Sequence, residues 1–592
     1  MEVNYAGDGR RVARQANSCI GPGQKGPLPK CTLRSKVLSM TPPADVPALV
    51  RAPRAAIAAP SRASLCPSLV PATLGLALSL AVSADALFRE GLAGAAFPVW
   101  IAMAVASLVG LAWRGELGIS RETAAWLFAA VFFSVGLMWR NSEELQAFDF
   151  LATVGSLFMA AATLNNRRGA LFVPRIRHTV QAVARAARGV VDGFPILVFR
   201  EAAERYAAGR WGVIGARALR IGLVVGALLL VFGSLLGSAD PIFASFVTLP
   251  NFDVASVVRH TVLIAIIAWI VGGWARGALV DKSDASYRIG ALPWHLGRLE
   301  ITTAFVTLIV LFSAFILAQL GWLFGGEAFL RARTGLTAAT YARQGFFQMV
   351  WVVTLVIPII VGTRAALGRG WALARLHSRL ALPVVTLLGA IVVSAGLRLR
   401  LYVQYYGLST DRLYPLVFIA WLAFVLVWLS LTTLRGRARR FGPGVVLSGL
   451  ATLAGLNVIV PDVVVARVNV ARSATSTMPL DVRYLTTLSG EAAQPAVTAV
   501  LADLRRPLSD ATPQESIARC TMLNGLMNRW GSPSATGAPH AHHGAWRSWN
   551  AGEAIARRVV SAHEVELERA RREACVRAEL AKQKPHAPAV QR

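Results

Sequence analysis

The sequence predicts an all-α protein, a polytopic transmembrane helical bundle of about eleven spans that is followed by a small helical C-terminal appendage. The first observation is composition: 55% of the 592 residues are hydrophobic and only 16% are charged, whereas a soluble globular protein carries about a quarter charged residues. The second is a series of uncharged apolar runs of about 18 to 22 residues, the length that crosses the hydrocarbon core of a bilayer. Because lipid offers no partners to backbone polar groups, these runs must be helices.

The chain starts with a predicted disordered basic tail, residues 1–66, which is rich in Arg, Pro and Ala and lacks apolar periodicity. The transmembrane helical domain is predicted over residues 67–460. Its first apolar run, from Leu69, has the character of a signal anchor rather than a cleaved secretory signal. The expected spans are centred near Leu76, Ala104, Phe132, Leu157, Leu228, Ile266, Leu311, Val356, Ile391, Val425 and Leu453.

The distribution of arginine predicts the orientation of these spans. The connection 167–220 contains eleven arginines against three acidic residues, which places it in the cytoplasm. Alternation then puts three further basic connections on the same side, the N-terminus inside and the C-terminal region outside. Within this connection, apolar residues recur every three or four positions over 171–191, which favours an amphipathic helix on the inner leaflet. A plain cytoplasmic linker helix is the alternative.

The C-terminal region, residues 461–592, lacks long apolar runs and is predicted to lie outside the membrane. Residues 481–504 and 546–582 are expected to be helical, and the chain ends in a loose tail. The five cysteines show no metal-ligand spacing. Only Cys520 and Cys575 are suited to pairing, and only outside the cytoplasm.

Composition and motifs exclude several functions. The net charge is +29, but the basic residues lie between apolar segments, where they set topology and contact lipid headgroups, so no nucleic-acid partner is expected. The chain lacks a phosphate-binding loop, a zinc-protease helix and a nucleophile elbow. We therefore expect no catalytic residues, no cofactor and an activity that is not enzymatic. Three histidines lack supporting carboxylates, so no metal site is expected there: His540, His542 and His543.

Ionisable residues inside a span are costly and mark proton or ion pathways. The middles of the predicted spans contain none, which disfavours a proton-coupled or sodium-coupled carrier. The ionisable residues at the ends of runs, where side chains reach the headgroups, are Asp149, Arg220, Arg259, His260 and Glu300. Gln319 and Asn457 lie within spans, and we expect each to form an interhelical hydrogen bond.

The fifth expected span carries glycines at GxxxG spacing, which lets a neighbouring helix approach closely. These residues are Gly222, Gly226, Gly233 and Gly237. Helix packing within the monomer is predicted, with dimerisation as the alternative.

Several arginines fall in segments predicted to lie outside, against the topogenic rule. They are Arg331, Arg333, Arg343, Arg398, Arg400, Arg412, Arg467 and Arg472. Guanidinium groups that converge near the outer headgroups would bind a phosphate, a carboxylate or a lipid headgroup through paired hydrogen bonds. The alternative is structural pairing with the acids Asp240, Glu327, Asp411, Asp462 and Asp481.

These same segments resemble an uncharacterised family of bacterial multi-pass membrane proteins, domain of unknown function 4173, which is related to domain of unknown function 4153. The resemblance covers about residues 69–558 and is carried by Leu235–Phe243, Gln319–Gly326, Gly335–Thr337, Tyr341–Phe347, Arg400–Tyr402, Tyr406–Ser409, Arg412–Tyr414, Leu456–Asn469, Asp481, Tyr484–Leu485 and Trp546–Asn550. It implies a multi-pass fold and no particular activity. The outer-face Arg and Tyr residues fall inside these motifs.

The leading hypothesis is a transport or sensing component of the inner membrane, whose partners are the bilayer and an anionic lipid or envelope ligand. Its predicted outer-face pocket consists of Asp240, Tyr341, Arg343, Arg400, Tyr402 and Arg412. One alternative is a membrane enzyme acting on a lipid-linked substrate, with Asp240 or Asp411 as the base. Another is a structural or signalling protein that recruits a membrane-protein partner.

Overall fold

The structure is a computed structural model, and it describes residues 64–91, 94–164, 187–206, 254–280, 297–334, 346–367, 371–474, 480–505, 512–532 and 546–583, together with single helical positions between 214 and 239. Over these residues the chain is helical and contains no β-strand, so the predicted all-α class is confirmed. The predicted N-terminal tail, the three histidines near 540 and most of the arginine-rich connection lie outside the described residues.

Ten helices of the described part are long and apolar enough to cross a membrane. Each coincides with one of the predicted centres. The eleventh centre, Leu228, lies in a stretch of which only single positions are described. The ten spans are Val70–Leu87, Ala96–Arg114, Arg121–Trp139, Glu143–Thr163, Ser256–Leu279, Arg298–Gln319, Phe346–Ala366, Trp371–Tyr406, Thr410–Thr432 and Ala438–Ile459.

The first group of spans comprises α1 (Val70–Leu87), α2 (Ala96–Arg114), α3 (Arg121–Trp139), α4 (Glu143–Thr163) and, after a helical segment α5 (187–206), α6 (Val254–Leu279). Helices α3 and α4 pack along each other, and α1 packs against α6. Their shared apolar core includes Leu108, Trp126, Ala160 and Trp274. Trp274 donates its indole N–H to the Leu157 carbonyl at 3.1 Å, which satisfies the polar end of a ring buried between helices.

A second group consists of α7 (Arg298–Thr334), α8 (Phe346–Ala366), α9 (Trp371–Tyr406) and α10 (Thr410–Thr432). Helix α9 contacts the other three, and its buried face carries Val384, Leu388 and Ile391. Helix α11 (Phe441–Ile459) packs against both α10 and α4. It therefore joins the two groups, and this position brings α4 near the C-terminal region.

Helix α5 crosses α6 at glycines. A Cβ atom built at Gly193 would lie 2.9 Å from the Gly273 carbonyl oxygen, and one built at Gly189 would lie 3.3 Å from the Gly277 Cα. The absence of side chains lets the two backbones touch. This end of the predicted amphipathic segment is therefore packed into the bundle, and residues 171–186 lie outside the described part.

The structure describes three of the four glycines of the fifth expected span. Apart from the backbone of their own helix, no heavy atom of the described residues lies within 4 Å of a Cβ built at Gly222, Gly226 or Gly233. Gly237 lies outside the described residues. Packing within the monomer and dimerisation both stay predictions for this stripe.

The C-terminal region contains α12 (Pro461–Ser473), α13 (Val482–Thr487), α14 (Ala493–Leu504), α15 (Pro513–Trp530), α16 (Ala551–Ala562) and α17 (Glu564–Gln583). Its apolar core includes Val500, Leu523, Trp530 and Val560. Helix α15 was not predicted, although Thr512 and Glu515 form a capping box and Pro513 occupies the first turn. Cys520 of α15 and Cys575 of α17 form a disulfide with a Cα–Cα distance of 4.8 Å.

Candidate functional site

A polar cavity of about 310 Å³ lies where α9 ends and α10 begins, beside α12 and α13. Basic, acidic, hydroxyl and amide side chains all line it. The lining residues are Tyr406, Gly407, Leu408, Ser409, Asp411, Arg412, Asn469, Arg472, Ser473, Leu480, Asp481 and Tyr484.

The cavity wall depends on the sharp turn between α9 and α10. Gly407 adopts a φ of +81°, which only glycine adopts without strain, and it ends α9. Asn469 of α12 holds the following residue, since its amide accepts the Leu408 N–H at 3.0 Å and donates to the Leu408 carbonyl at 2.6 Å. A side chain at Gly407 would approach Asn469 Oδ1 to 2.9 Å, so the turn and α12 are fitted to each other.

Arg412 is fixed against the end of α9. Its Nη1 donates to the Tyr406 carbonyl at 3.0 Å and also to the Gly407 carbonyl. Its guanidinium carbon lies 4.4 Å from the centre of the Tyr402 ring, a cation–π distance. A cation here is favoured because the carbonyl end of a helix carries partial negative charge. Its Nε and Nη2 form no hydrogen bond with the described residues.

Arg472 approaches the same helix end from α12. Its Nη1 donates to the Val403 carbonyl at 2.9 Å and to the Gln404 carbonyl at 3.1 Å. Two guanidinium groups therefore meet at one helix C-terminus. Both donate to carbonyls of the last turn of α9, where a helix runs out of its own N–H partners, and the Val403 carbonyl also accepts the Gly407 N–H at 2.9 Å.

The acids of the cavity do not pair with Arg412. Asp481 caps α13 by accepting the Tyr484 N–H at 2.9 Å, and the Tyr484 hydroxyl accepts the Thr410 N–H at 3.0 Å. Asp411 is exposed in the first turn of α10. Arg412 forms no ion pair of 4.0 Å or less with a described carboxylate. The structural-pairing alternative therefore has no support at Arg412.

The structure places only some of the six predicted pocket residues at the cavity. Arg412 lines the cavity, and Tyr402 lies beneath its guanidinium group. Arg400 is exposed on the last turns of α9 and does not line the cavity. Asp240, Tyr341 and Arg343 lie outside the described residues.

The cavity also contains residues that the sequence interpretation did not place in the site, chiefly Asn469, Arg472 and Tyr484. Asn469 and Tyr484 belong to the motifs that carry the family resemblance, and Arg472 is one of the displaced outer arginines. Those signals could have found them. The sequence alone does not show that α12 and α13 pack on the end of α9.

Both predicted interhelical hydrogen bonds are present. Gln319 of α7 accepts from the Ser394 hydroxyl of α9, and Asn457 of α11 donates to Asp149 Oδ1 of α4 at 2.8 Å. The expectation that Asp149 reaches the headgroups was wrong, because its side chain has 0% exposure. The Asp149 side chain is enclosed by α11, by α3 and by Arg140, which directly follows α3.

One comparison with known proteins gives a match. The family described as Domain of unknown function (DUF4153) matches residues 127–499, more than half of the chain and a range that includes all of the residues lining the cavity. No curated protein and no solved structure matches the chain. The match is therefore to the relative of domain of unknown function 4173, and not to domain of unknown function 4173 itself. The chain belongs to the family of Domain of unknown function (DUF4153).

Proposed function

We propose that this multi-pass protein of the bacterial inner membrane binds an anionic envelope ligand in the cavity at the end of α9, as part of transport or sensing. The observation that carries the proposal is the state of Arg412. One edge of its guanidinium caps α9, one face lies on Tyr402, and the remaining donors adjoin a polar cavity. A guanidinium held in place loses little entropy when it binds a phosphate or carboxylate.

The size and lining of the cavity support a headgroup-sized ligand. Ligand pockets start at about 300 Å³, and this cavity has about 310 Å³. Phosphate oxygens would accept from Arg412, while Ser409 and Tyr484 offer hydroxyl groups. Asp411 and Asp481 would repel a ligand that is only anionic, and would accept an ammonium or hydroxyl group carried by the same molecule.

The proposed orientation places this cavity outside the cytoplasm. The C-terminal region contributes α12 and α13 to its wall. The same region contains the Cys520–Cys575 disulfide, and disulfides persist in oxidising compartments. The basic connections of the sequence favour the same orientation.

Binding can be measured with protein in nanodiscs, using a short-chain phosphatidic acid as the lipid probe and inorganic phosphate as the free anion. We expect Arg412→Ala to weaken binding by about tenfold to hundredfold, since a hydrogen bond to a charged group contributes about 1.5 to 3 kcal/mol. Arg412→Lys keeps the charge and loses the planar fork, so it should bind with intermediate affinity. The matched control is Arg400→Ala, which removes an exposed guanidinium from the same helix end.

If both probes bind Arg412→Ala as tightly as the unmodified protein, the proposal is wrong. A variant that melts at a lower temperature but binds normally would limit Arg412 to helix capping. Binding of the lipid without binding of phosphate would identify a lipid headgroup as the ligand.

The alternative of an enzyme on a lipid-linked substrate has one observation in its favour, namely that Asp411 lines the same cavity. This alternative requires that the protein converts a lipid-linked substrate and that Asp411→Asn abolishes this conversion. Unchanged turnover in that variant would remove the assignment of Asp411 as a base.

A further inference from the structure

Asp149 is a carboxyl group enclosed within a transmembrane span. It lies on the second turn of α4, and its side chain has 0% exposure. Oδ1 accepts the Asn457 amide at 2.8 Å. Oδ2 is also buried and has no hydrogen-bond partner in the described structure.

The space around Oδ2 is shaped by a glycine. A Cβ atom built at Gly136 of α3 would overlap Asp149 Oδ2. The carboxyl group therefore points at the backbone of α3 and fills the place of a missing side chain. This oxygen is directed into the interface between α3 and α4 and is closed off from solvent.

The positive charge nearest to Asp149 is turned to another partner. Arg140 follows α3, and its Nη2 donates to the Asn457 carbonyl. Its Nε is buried without a partner, and no ion pair of 4.0 Å or less joins Arg140 to Asp149 in the described structure. Glu491 of the C-terminal region also attracts Arg140, so this cation is shared between two acids.

Other ionisable groups near Asp149 do not neutralise it. Tyr414 of α10 interacts electrostatically with Asp149, but the hydrogen bond of its hydroxyl group is with the Ser142 hydroxyl. Helix α11 contains no ionisable residue, and Glu143 and Glu144 of α4 are acids themselves. The remaining charges on α3 are at its opposite end, Arg121 and Glu122. The ionisable side chains of α6 have partners elsewhere, in the pairs His260–Asp85, Arg276–Glu201 and Arg259–Ser256.

We propose that Asp149 binds a proton at Oδ2 and is an intramembrane proton-binding site at the junction of α3, α4 and α11. An unpaired carboxylate is costly in a low-dielectric interior, and a proton from the aqueous phase removes that cost. Loss of the proton would draw the Arg140 guanidinium from the Asn457 carbonyl toward Asp149. Protonation is thereby tied to the hydrogen bond between Arg140, which follows α3, and the Asn457 carbonyl of α11, and this holds whether or not the cavity at α9 binds a ligand.

Infrared difference spectroscopy of the full-length protein in nanodiscs tests this site, since a protonated carboxyl has a carbonyl stretch separate from that of a carboxylate. We expect such a band at neutral pH, and expect Asp149→Asn to abolish its Asp149 component. The matched control is Asp85→Asn. Asp85 is also buried in a transmembrane helix, but it is paired with His260 and Arg89, so its replacement should leave the band unchanged. Asp462→Asn identifies any band from that second buried carboxyl.

A folded Asp149→Asn protein with an unchanged band at neutral pH overturns the proposal. If this variant does not fold, Gly136→Ala tests the same assignment, because its methyl group must displace Oδ2. We then expect the frequency of the protonated-carboxyl band to shift. A band at an unchanged frequency in folded Gly136→Ala also overturns the proposal.

Discussion

Asn457 of α11 donates a hydrogen bond of 2.8 Å to Asp149 of α4, across an interface between two transmembrane helices. The two residues are separated by 308 positions in the sequence. Asn457 is also two residues from the end of α11, after which α12 starts the C-terminal region. The bond therefore links the first group of spans to the helix that leads into the wall of the cavity.

The first prediction concerns this bond. Asn457→Ala removes the donor to Asp149 Oδ1 and leaves the buried carboxyl without any partner, so we expect a loss of about 1 to 3 kcal/mol in stability. Thermal unfolding in detergent or nanodiscs measures it. Gln404→Ala, which removes an exposed amide from α9, is the control and should have little effect. Equal unfolding temperatures for Asn457→Ala and the unmodified protein would contradict the prediction.

The second prediction concerns Gly136. An added methyl group would overlap Asp149 Oδ2, and overpacking of this kind costs about 1 to 3 kcal/mol. The control is Gly155→Ala, a glycine of α4 whose Cβ would meet no described atom within 4 Å. That variant should be neutral or more stable, because alanine favours helix over glycine. The same loss of stability in both variants would show that the effect is not specific to the Asp149 contact.

The third prediction uses the disulfide. Breaking the Cys520–Cys575 bond should destabilise the C-terminal region by about 2 to 5 kcal/mol, since the bond closes a long loop. Cys575→Ser leaves Cys520 as a free thiol.

We expect a membrane-impermeant thiol reagent to label Cys520 in intact spheroplasts of a variant in which the other four cysteines are serine. Labelling of Cys520 only after lysis would place this region inside and reverse the proposed orientation.

The fourth prediction concerns pH. Burial raises the pKa of Asp462 above its ordinary value of 3.8, while the hydrogen bond that the Ser489 N–H donates to Oδ2 at 2.9 Å opposes the shift. A folded-state pKa above the unfolded value gives stability that is complete below the unfolded pKa and is lost as pH rises through the folded pKa. Unfolding measured from about pH 4 to pH 8 should therefore show a loss of stability with rising pH that Asp462→Asn reduces.

Glu568 is the matched comparison, and its contribution to stability should depend on pH in the opposite direction. Hydrogen bonds from Arg571 and Arg572 lower the pKa of Glu568 below its ordinary value of 4.5. Its contribution is present above the unfolded pKa and is lost as pH falls through the folded pKa. Glu568→Gln should therefore reduce the loss of stability on the acid side only. A common pH slope for both variants would contradict the two assignments.

Much of the fold could be predicted from local sequence. Long uncharged apolar runs fix the existence and position of a transmembrane helix, because each run must satisfy its own backbone in lipid. Ten predicted centres fall inside ten observed spans for that reason. Helix α15 has no such run, and its local signal in the sequence is the capping box of Thr512 and Glu515.

The candidate site was only partly predictable. Arg412 and Tyr402 are predictable site residues, because arginine is unexpected in an outer segment and both residues fall in family motifs. Asn469 and Tyr484 join Arg412 only through the packing of α12 and α13 on the α9–α10 turn. Arg400 satisfies the same sequence criteria as Arg412 and yet is exposed and does not line the cavity.

By itself, the sequence determined that this protein is a multi-pass helical membrane protein, since hydropathy and length act within each segment. It also limited disulfide pairing to Cys520 and Cys575. The tertiary structure alone decided which polar groups are enclosed and which meet. Asp149 lies near the start of an apolar run, where its position suggests contact with headgroups, but α3 and α11 close over it. Burial depends on neighbours far apart in sequence, and so does the capping of α9 by Arg412 and Arg472.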